Sequence, residues 1–246
     1  MPLYATIDQG NTATKLTVWR DSEPVARMAS KTLAAADVAA TLAAYAPLDA
    51  AIYCTVGRRD EAHIDALRAA CRTVVELTRA TPLPIALCYH TPATLGLDRV
   101  AAAAGAVAAY PGRRCLVADI GTAVTYDVVG PDAAFHGGNI APGAGMRLRS
   151  LHAYTAALPE TSVDGPLPPW GEDTATAMRC GALRGIAGEL CYYRSCLPDD
   201  TLVVLTGGRA ATIAPLLHIE YVRDHDLVGK GLLSILRYNL MKHPLK

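Results

Sequence analysis

The run Leu3-Tyr4-Ala5-Thr6-Ile7-Asp8-Gln9-Gly10-Asn11-Thr12-Ala13-Thr14-Lys15-Leu16-Thr17-Val18 sets the architecture. Leu3 to Ile7 and Thr14 to Val18 carry the apolar and β-branched residues that favour strands, and the Gly-Asn pair between them is a turn signal. The segment predicts a tight hairpin with Asp8 at its turn. The pattern returns later in the chain. Cys115 to Ala118 reads as a strand, Asp119-Ile120-Gly121-Thr122 as the turn and Ala123 to Val129 as a second strand. A repeated supersecondary unit is the simplest source of a repeated local motif, so the two hairpins predict duplicated lobes, each opening with a hairpin and closing with helices.

Outward from the first hairpin, Thr32 to Tyr45, Asp60 to Cys71 and Arg99 to Tyr110 are Ala-rich stretches of helical propensity. Strand-like pieces around Ala50 to Cys54 and Ile85 to Tyr89 separate them. Tyr110-Pro111-Gly112 breaks the chain and is read as the boundary between an N-terminal lobe, 1–112, and a C-terminal lobe, 113–246. Beyond the second hairpin, Gly137-Gly138-Asn139-Ile140-Ala141-Pro142-Gly143 reads as a loop and Met146 to Ala157 as a helix. The Pro-rich loop Pro166 to Trp170 precedes a helix from Asp173 to Tyr193 that starts at a polar cap. Thr201 to Leu205 is a buried strand ending in Thr206-Gly207-Gly208, and Leu227 to Met241 is the final helix.

Composition narrows the partners. Basic and acidic residues number 23 each, so no excess charge is available to offset a nucleic-acid backbone or to hold a membrane surface, and neither partner is expected. The seven cysteines are scattered and never form a CxxC pair; they read as reduced thiols. Met1 leads into a strand-like run without the basic region and apolar stretch of a secretory signal. The longest apolar run, Val100 to Ala109, falls far short of the roughly 20 residues that cross a bilayer. A soluble cytoplasmic protein is the expectation.

Phosphoryl transfer needs phosphates held by backbone N–H groups, a metal ion to neutralise charge and a base aligned with the attacking hydroxyl. The first hairpin offers the first two. Gly10 lets the backbone approach a phosphate, Asn11 and Thr12 add donors, Lys15 adds charge, and Asp8 is suited to magnesium, directly or through water. An ordinary Gly-Asn hairpin with a solvated Asp is the alternative. Asp119 and Thr122 supply the matching turn that a two-lobed nucleotide cleft requires, unless Asp119 merely caps its turn. Thr125 and Asp127 alternate to one face of the following strand, where their polarity is unusual. Thr206-Gly207-Gly208 either admits adenine and ribose or simply turns the chain.

Four ordered segments then become specific: Asp8 to Lys15, Gly96-Leu97-Asp98-Arg99, Asp119 to Asp127 and Gly137 to Gly143. They resemble, in order and across nearly the whole chain, the signature motifs of the type III pantothenate kinase family, whose length also agrees. The resemblance implies an α/β fold of the two-lobed actin-like ATPase type, with duplicated ribonuclease H-like lobes of mixed sheets flanked by helices. It implies phosphorylation of pantothenate by ATP to 4′-phosphopantothenate, the first step of coenzyme A biosynthesis. It makes Asp98 the general base and Arg99 the clamp on the substrate's carboxylate. Tyr89, Gly96, Leu97 and Thr174 also become substrate contacts. Asp8, Gln9, Gly10, Asn11, Thr12, Ala13, Thr14, Lys15 and Thr122 become contacts to ATP. Magnesium goes to Asp8 and a monovalent cation, potassium or ammonium, to Asp119. A homodimer is implied as well.

One departure stands out, since Asp173 replaces the Asn usual before Thr174, and either residue also reads as a helix cap. Two other functions share the fold: phosphorylation of another small hydroxy acid or a sugar, and a catalytically silent regulatory accessory role. The Gly-x-Asp-Arg motif argues against the sugar and formal neutrality against the accessory role.

Overall fold

A computed structural model describes residues 1–242, which divide into two units. Unit 1 comprises Met1–Gly112, Asp132–Phe135 and the chain from Asp226 on; unit 2 comprises Arg113–Pro131 and His136–His225. In chain order unit 1 contributes strands β1 (Leu3–Gln9), β2 (Thr14–Arg20) and β3 (Glu23–Ser30), helix α1 (Ala35–Ala43), β4 (Leu48–Thr55), α2 (Glu61–Ala70), β5 (Cys71–Glu76), β6 (Ala86–Leu87) and α3 (Leu97–Ala109). There follow β7 (Cys115–Ile120), β8 (Ala123–Val129), β9 (Ala134–Pro142), α4 (Ala144–Ala153), α5 (Thr174–Ser195), β10 (Leu202–Thr206), α6 (Ala210–Ile213), β11 (Val222–Arg223) and α7 (Leu227–Lys242).

The duplication is visible in the strand order. Unit 1 has the sheet β3-β2-β1-β4-β5, and β9-β8-β7-β10-β11 runs in the same sequence through the other sheet. In each, an antiparallel hairpin pairs by its first strand with a parallel strand reached through a helix: β1 with β4, and β7 with β10. Ala134 and Phe135, the first residues of β9, belong to unit 1 and pair there with β6. The hairpins differ by one residue. Gln9 opposite Thr14 leaves Gly10 to Ala13 as the first loop, closed by Gly10 N–H donating to Ala13 O at 3.0 Å. Ile120 opposite Val124 leaves Gly121 to Ala123, closed by Gly121 N–H to Ala123 O at 2.9 Å.

In unit 1 the pleat sends Ala5, Ile7, Leu16, Val18, Ala51 and Tyr53 to one face, where Val38 and Leu42 of α1 and Ile64 and Leu67 of α2 bury them. The opposite face meets α3 and α7. There the Trp19 indole N–H donates to Thr6 Oγ1 at 2.9 Å, beneath Gly229 of α7, whose bare Cα leaves the ring its space. The Ala-rich sequence of α3 is explained by what it touches. A Cβ on Gly231 would strike the Ala101 carbonyl oxygen and one on Gly105 the Leu227 carbonyl oxygen, so α3 and α7 touch backbone to backbone. In unit 2, Leu116, Ala118, Ile120, Val124, Tyr126, Val203 and Leu205 pack under Leu183, Ile186 and Leu190 of α5 and Ile213 of α6.

Three sequence expectations change. Gly137 to Pro142 is no loop but most of strand β9, and Gly143 caps the next helix; a Cβ on Gly138 would meet the Tyr126 carbonyl, so this glycine permits close strand approach instead of a turn. The helix placed at Met146 to Ala157 begins two residues earlier and ends at Ala153. The final helix, assigned to the C-terminal lobe, belongs to unit 1, where its Gly231 meets the backbone of α3 at Ala101. Among the described residues no helix is long and apolar enough to cross a membrane.

Gly231→Ala is expected to lower unfolding stability in urea by roughly 1 to 3 kcal/mol, because the added methyl meets rigid backbone. Gly188→Ala, on the exposed side of α5 with open space around it, is expected to raise stability by up to about 1 kcal/mol.

Candidate active site

The acidic residues are aimed by the pleat. Ile7 points into the core of unit 1, so Asp8 points to the face that meets α3 and α7. Lys15 lies directly across the antiparallel pair from Asp8, and Cys54 is the register partner of Asp8 on the parallel side. Asp8, Lys15 and Cys54 therefore share one face. Helix α3 brings in Asp98. Gly96 is its N-cap residue without a side-chain cap, and a Cβ there would collide with Asp98 Oδ1, so glycine leaves room for the carboxylate to fold back and accept from Arg99 N–H at 2.8 Å. Burial pushes the Cys54 thiol well above its ordinary value, and the Asp8 and Asp98 carboxylates push it further. Asp8 and the first turn of α3, which carries Asp98, thus belong to the same side of the sheet of unit 1.

The remaining hairpin residues divide. Asn11 and Thr12 are exposed at the tip with Gly10 and Ala13 beside them. The Gln9 side chain turns to the other face, where it accepts from the Tyr53 hydroxyl and donates to Arg58 O at 3.0 Å; Thr14, its register partner, is buried. For Gln9 this leaves the backbone, not the amide, for a phosphate. Arg99 is buried, its guanidinium carbon 5.4 Å from the Phe135 ring centroid and 5.9 Å from that of Tyr89, with the two rings edge to face. Leu97, the first residue of α3, is half-buried.

In unit 2 the same logic operates on Asp119. Ile120 and Ala118 enter the core, so Asp119 takes the opposite face with Thr125 across the hairpin and Thr206 on the parallel side. Gly207 has φ +90°, and a Cβ there would overlap the Asp119 carboxylate; the Thr206-Gly207-Gly208 turn thus lies directly against Asp119. Asp127 shares that face, is completely buried, and lies against Gly138. Thr122 is exposed at the turn, and its carbonyl accepts from Gly143 N–H at 3.0 Å.

Thr174 is the exposed first residue of α5, and capping falls to Asp173, which accepts from Thr176 N–H at 2.7 Å within a capping box. Hydrogen bonds from Thr176 hold the Asp173 carboxyl below its usual range. Among the described residues no three His, Cys, Asp or Glu side chains converge on a point that would hold a metal ion. Asp8 still fits magnesium, which keeps most of its waters and takes one or two carboxylates together with nucleotide phosphates. Cys54 was not singled out from sequence, where a lone Cys inside a strand gives no signal. Register beside Asp8 is what reveals it.

A duplicated sheet with an acidic glycine hairpin at the head of each copy defines the actin-like ATPase fold. Solved structures of low identity share it: a Campylobacter jejuni protein described as a conserved Baf family transcriptional activator (TM-score 0.62, 18% identity, covering 96% of this chain and 98% of that one). The Acidaminococcus fermentans (R)-2-hydroxyglutaryl-CoA dehydratase component A is similar at TM-score 0.57 and 16% identity, covering 98% and 99%. The family profile described as type III pantothenate kinase matches residues 5–194, and the chain belongs to that family. It is 37% identical over 238 residues to the type III pantothenate kinase of Azobacteroides pseudotrichonymphae, covering 96% of this chain and 97% of the relative. It is 36% identical over 242 residues to that of Porphyromonas gingivalis (95% and 98%), and 43% identical over 169 residues to that of Phocaeicola vulgatus (68% and 70%).

The two candidate roles at the head of α5 separate by pH. Asp173→Ala should lower the thermal midpoint above about pH 4, and the difference should vanish as pH falls through the depressed folded-state value, since a lowered carboxyl pKa stabilises only while the group is ionised. Thr174→Ala should leave the midpoint unchanged at every pH, as thermal scans from pH 2 to 8 would show.

Proposed function

We propose that this protein transfers the γ-phosphate of ATP to the primary hydroxyl of pantothenate, giving 4′-phosphopantothenate in the first step of coenzyme A biosynthesis. The observation that carries the reading is family membership across residues 5–194 in a chain whose Asp98 lies in the first turn of α3, the helix packed on the sheet face to which Asp8 is aimed.

Each residue has a task suited to its chemistry. Asp98 accepts the proton of the attacking hydroxyl, a step worth about 10² to 10⁴ in rate. Arg99, its planar guanidinium pre-oriented by Tyr89 and Phe135, receives the pantothenate carboxylate in a geometry Lys cannot reproduce. Tyr89, Gly96, Leu97 and Thr174 complete the substrate contacts. The backbone from Gln9 to Thr14, with Lys15 and Thr122, holds the ATP phosphates. Asp8 would hold magnesium, which when bound would neutralise charge on those phosphates. Asp119, whose register partners Thr125 and Thr206 are hydroxyl-bearing, is the site for potassium or ammonium. The working form is a cytoplasmic homodimer without nucleic-acid or membrane partners, and its lobes of 1–112 and 113–246 are amended by Asp132–Phe135 and the chain from Asp226, which join the first.

Coupled ADP release measured with ATP, magnesium and potassium across pantothenate, other hydroxy acids and sugars should show turnover with pantothenate. Asp98→Asn should cut kcat by about 10²-fold or more while leaving the thermal midpoint near that of the unaltered protein. Absence of pantothenate-dependent ADP release from the unaltered protein would refute the assignment.

A further inference from the structure

The turn that carries Thr122 is not held by its own strands alone. Gly143, between β9 and α4, presses backbone on backbone against it: its N–H donates to Thr122 O at 3.0 Å, and a Cβ on it would collide with the carbonyl oxygens of both Gly121 and Thr122. A turn packed this closely moves whenever the β9–α4 junction moves. One residue of α4 binds both carbonyls of the junction, one by its side chain and one by its backbone. Arg147 Nε donates to Pro142 O at 2.8 Å and its backbone N–H donates to Gly143 O at 3.0 Å, so one residue takes the carbonyl of each residue at the bend.

The guanidinium is fixed in turn. Arg147 Nη2 lies 2.7 and 2.6 Å from the two carboxylate oxygens of Glu189, on α5, and Glu189 Oε2 also accepts from the Tyr126 hydroxyl at 3.0 Å. Tyr126 is buried on β8, opposite Ala118. Gly185, one turn before Glu189 on α5, leaves room for Arg147, since a Cβ there would stand 3.0 Å from Nη1. Burial, first of all, raises the Tyr126 hydroxyl pKa, with the Glu189 charge adding to it, so the phenol stays a hydrogen-bond donor. Every member lies in unit 2.

We propose that Arg147 and Glu189 are positioning residues for the nucleotide: they hold the β9–α4 junction, and through Gly143 they set where the Gly121–Thr122 turn presents its backbone and hydroxyl to the ATP phosphates. The inference rests on the reading of that turn as a phosphate contact. Neither residue touches the reacting atoms. A planar fork is required, because one side chain must reach the Pro142 carbonyl by Nε and the carboxylate by another nitrogen at the same time, which a Lys ammonium at the end of a flexible stem cannot do.

The test compares Arg147→Lys, Glu189→Gln and Gly143→Ala with the unaltered protein. It uses calorimetric binding of a non-hydrolysable ATP analogue without pantothenate, steady-state kinetics for both substrates, and thermal unfolding. Each variant should weaken analogue binding and raise KM for ATP about tenfold, with KM for pantothenate close to the original; the nucleotide-free unfolding midpoint should hold in Arg147→Lys and Glu189→Gln and fall in Gly143→Ala, whose added methyl meets backbone. Arg147→Lys combined with Glu189→Gln should be no worse than either alone, as for two links of one chain. Wild-type analogue affinity in Arg147→Lys would overturn the proposal. So would an equal loss for both substrates accompanied by a collapsed midpoint, which marks a purely structural pair. If the unaltered protein binds the analogue but leaves pantothenate unphosphorylated, the substrate assignment fails while the positioning role is still decided by the binding arm. If it binds no nucleotide, both fall.

Discussion

The two-residue period of a β-strand is the constraint on which the site depends. In β1 and in β7 a run of apolar side chains must enter the core, and the residue beside the last of them is an aspartate, which the pleat then turns the other way. A slip of one residue in either strand would send the carboxylate into the apolar core and the core side chains to the face that carries the acid, so hydrophobic burial and acid placement are specified together. Burial of Ala5, Ile7 and Leu16 on one unit, and of Leu116, Ala118 and Ile120 on the other, thus supplies the free energy that aims Asp8 and Asp119.

The copies share this geometry but differ in chemistry. Asp8 lies between a lysine and a thiol, Asp119 between two threonines. A carboxylate facing an ammonium suits a place where polyanionic phosphate arrives, and one flanked by hydroxyl oxygens suits a weakly hydrated cation. The first hairpin also carries one more loop residue than the second, enough for a fuller ring of backbone donors at its tip. The two copies share a frame and differ in the side chains beside each carboxylate.

What could be read from the chain was local. Asp-x-Gly turns and Ala-rich helices announce themselves within a few residues, and β1, β2, β7, β8, α2, α3 and α5 fall near their expected places. The family likeness added roles that no spacing implies. What escaped was long-range. A glycine that opens a turn and one that lets two strands approach look alike until the neighbouring strand is in view, so β9 reads as a loop. Strands β3 and β5 lie at sheet edges, half-exposed, without the clean alternation that marks a central strand. Arg147 and Glu189 are 42 residues apart and share no motif, and Cys54 is meaningful only beside Asp8. The destination of α7 was hidden for the same reason, since Gly231 gains its meaning from Ala101.

That last helix has a consequence for how the molecule is made. Unit 2 is drawn from a nearly unbroken stretch, whereas unit 1 is completed only by residues beyond His225. During vectorial synthesis the emerging first sheet must wait, with one apolar side and the alanine flank of α3 uncovered, while more than a hundred further residues are translated. The half of the protein that is written first is therefore the half that is finished last.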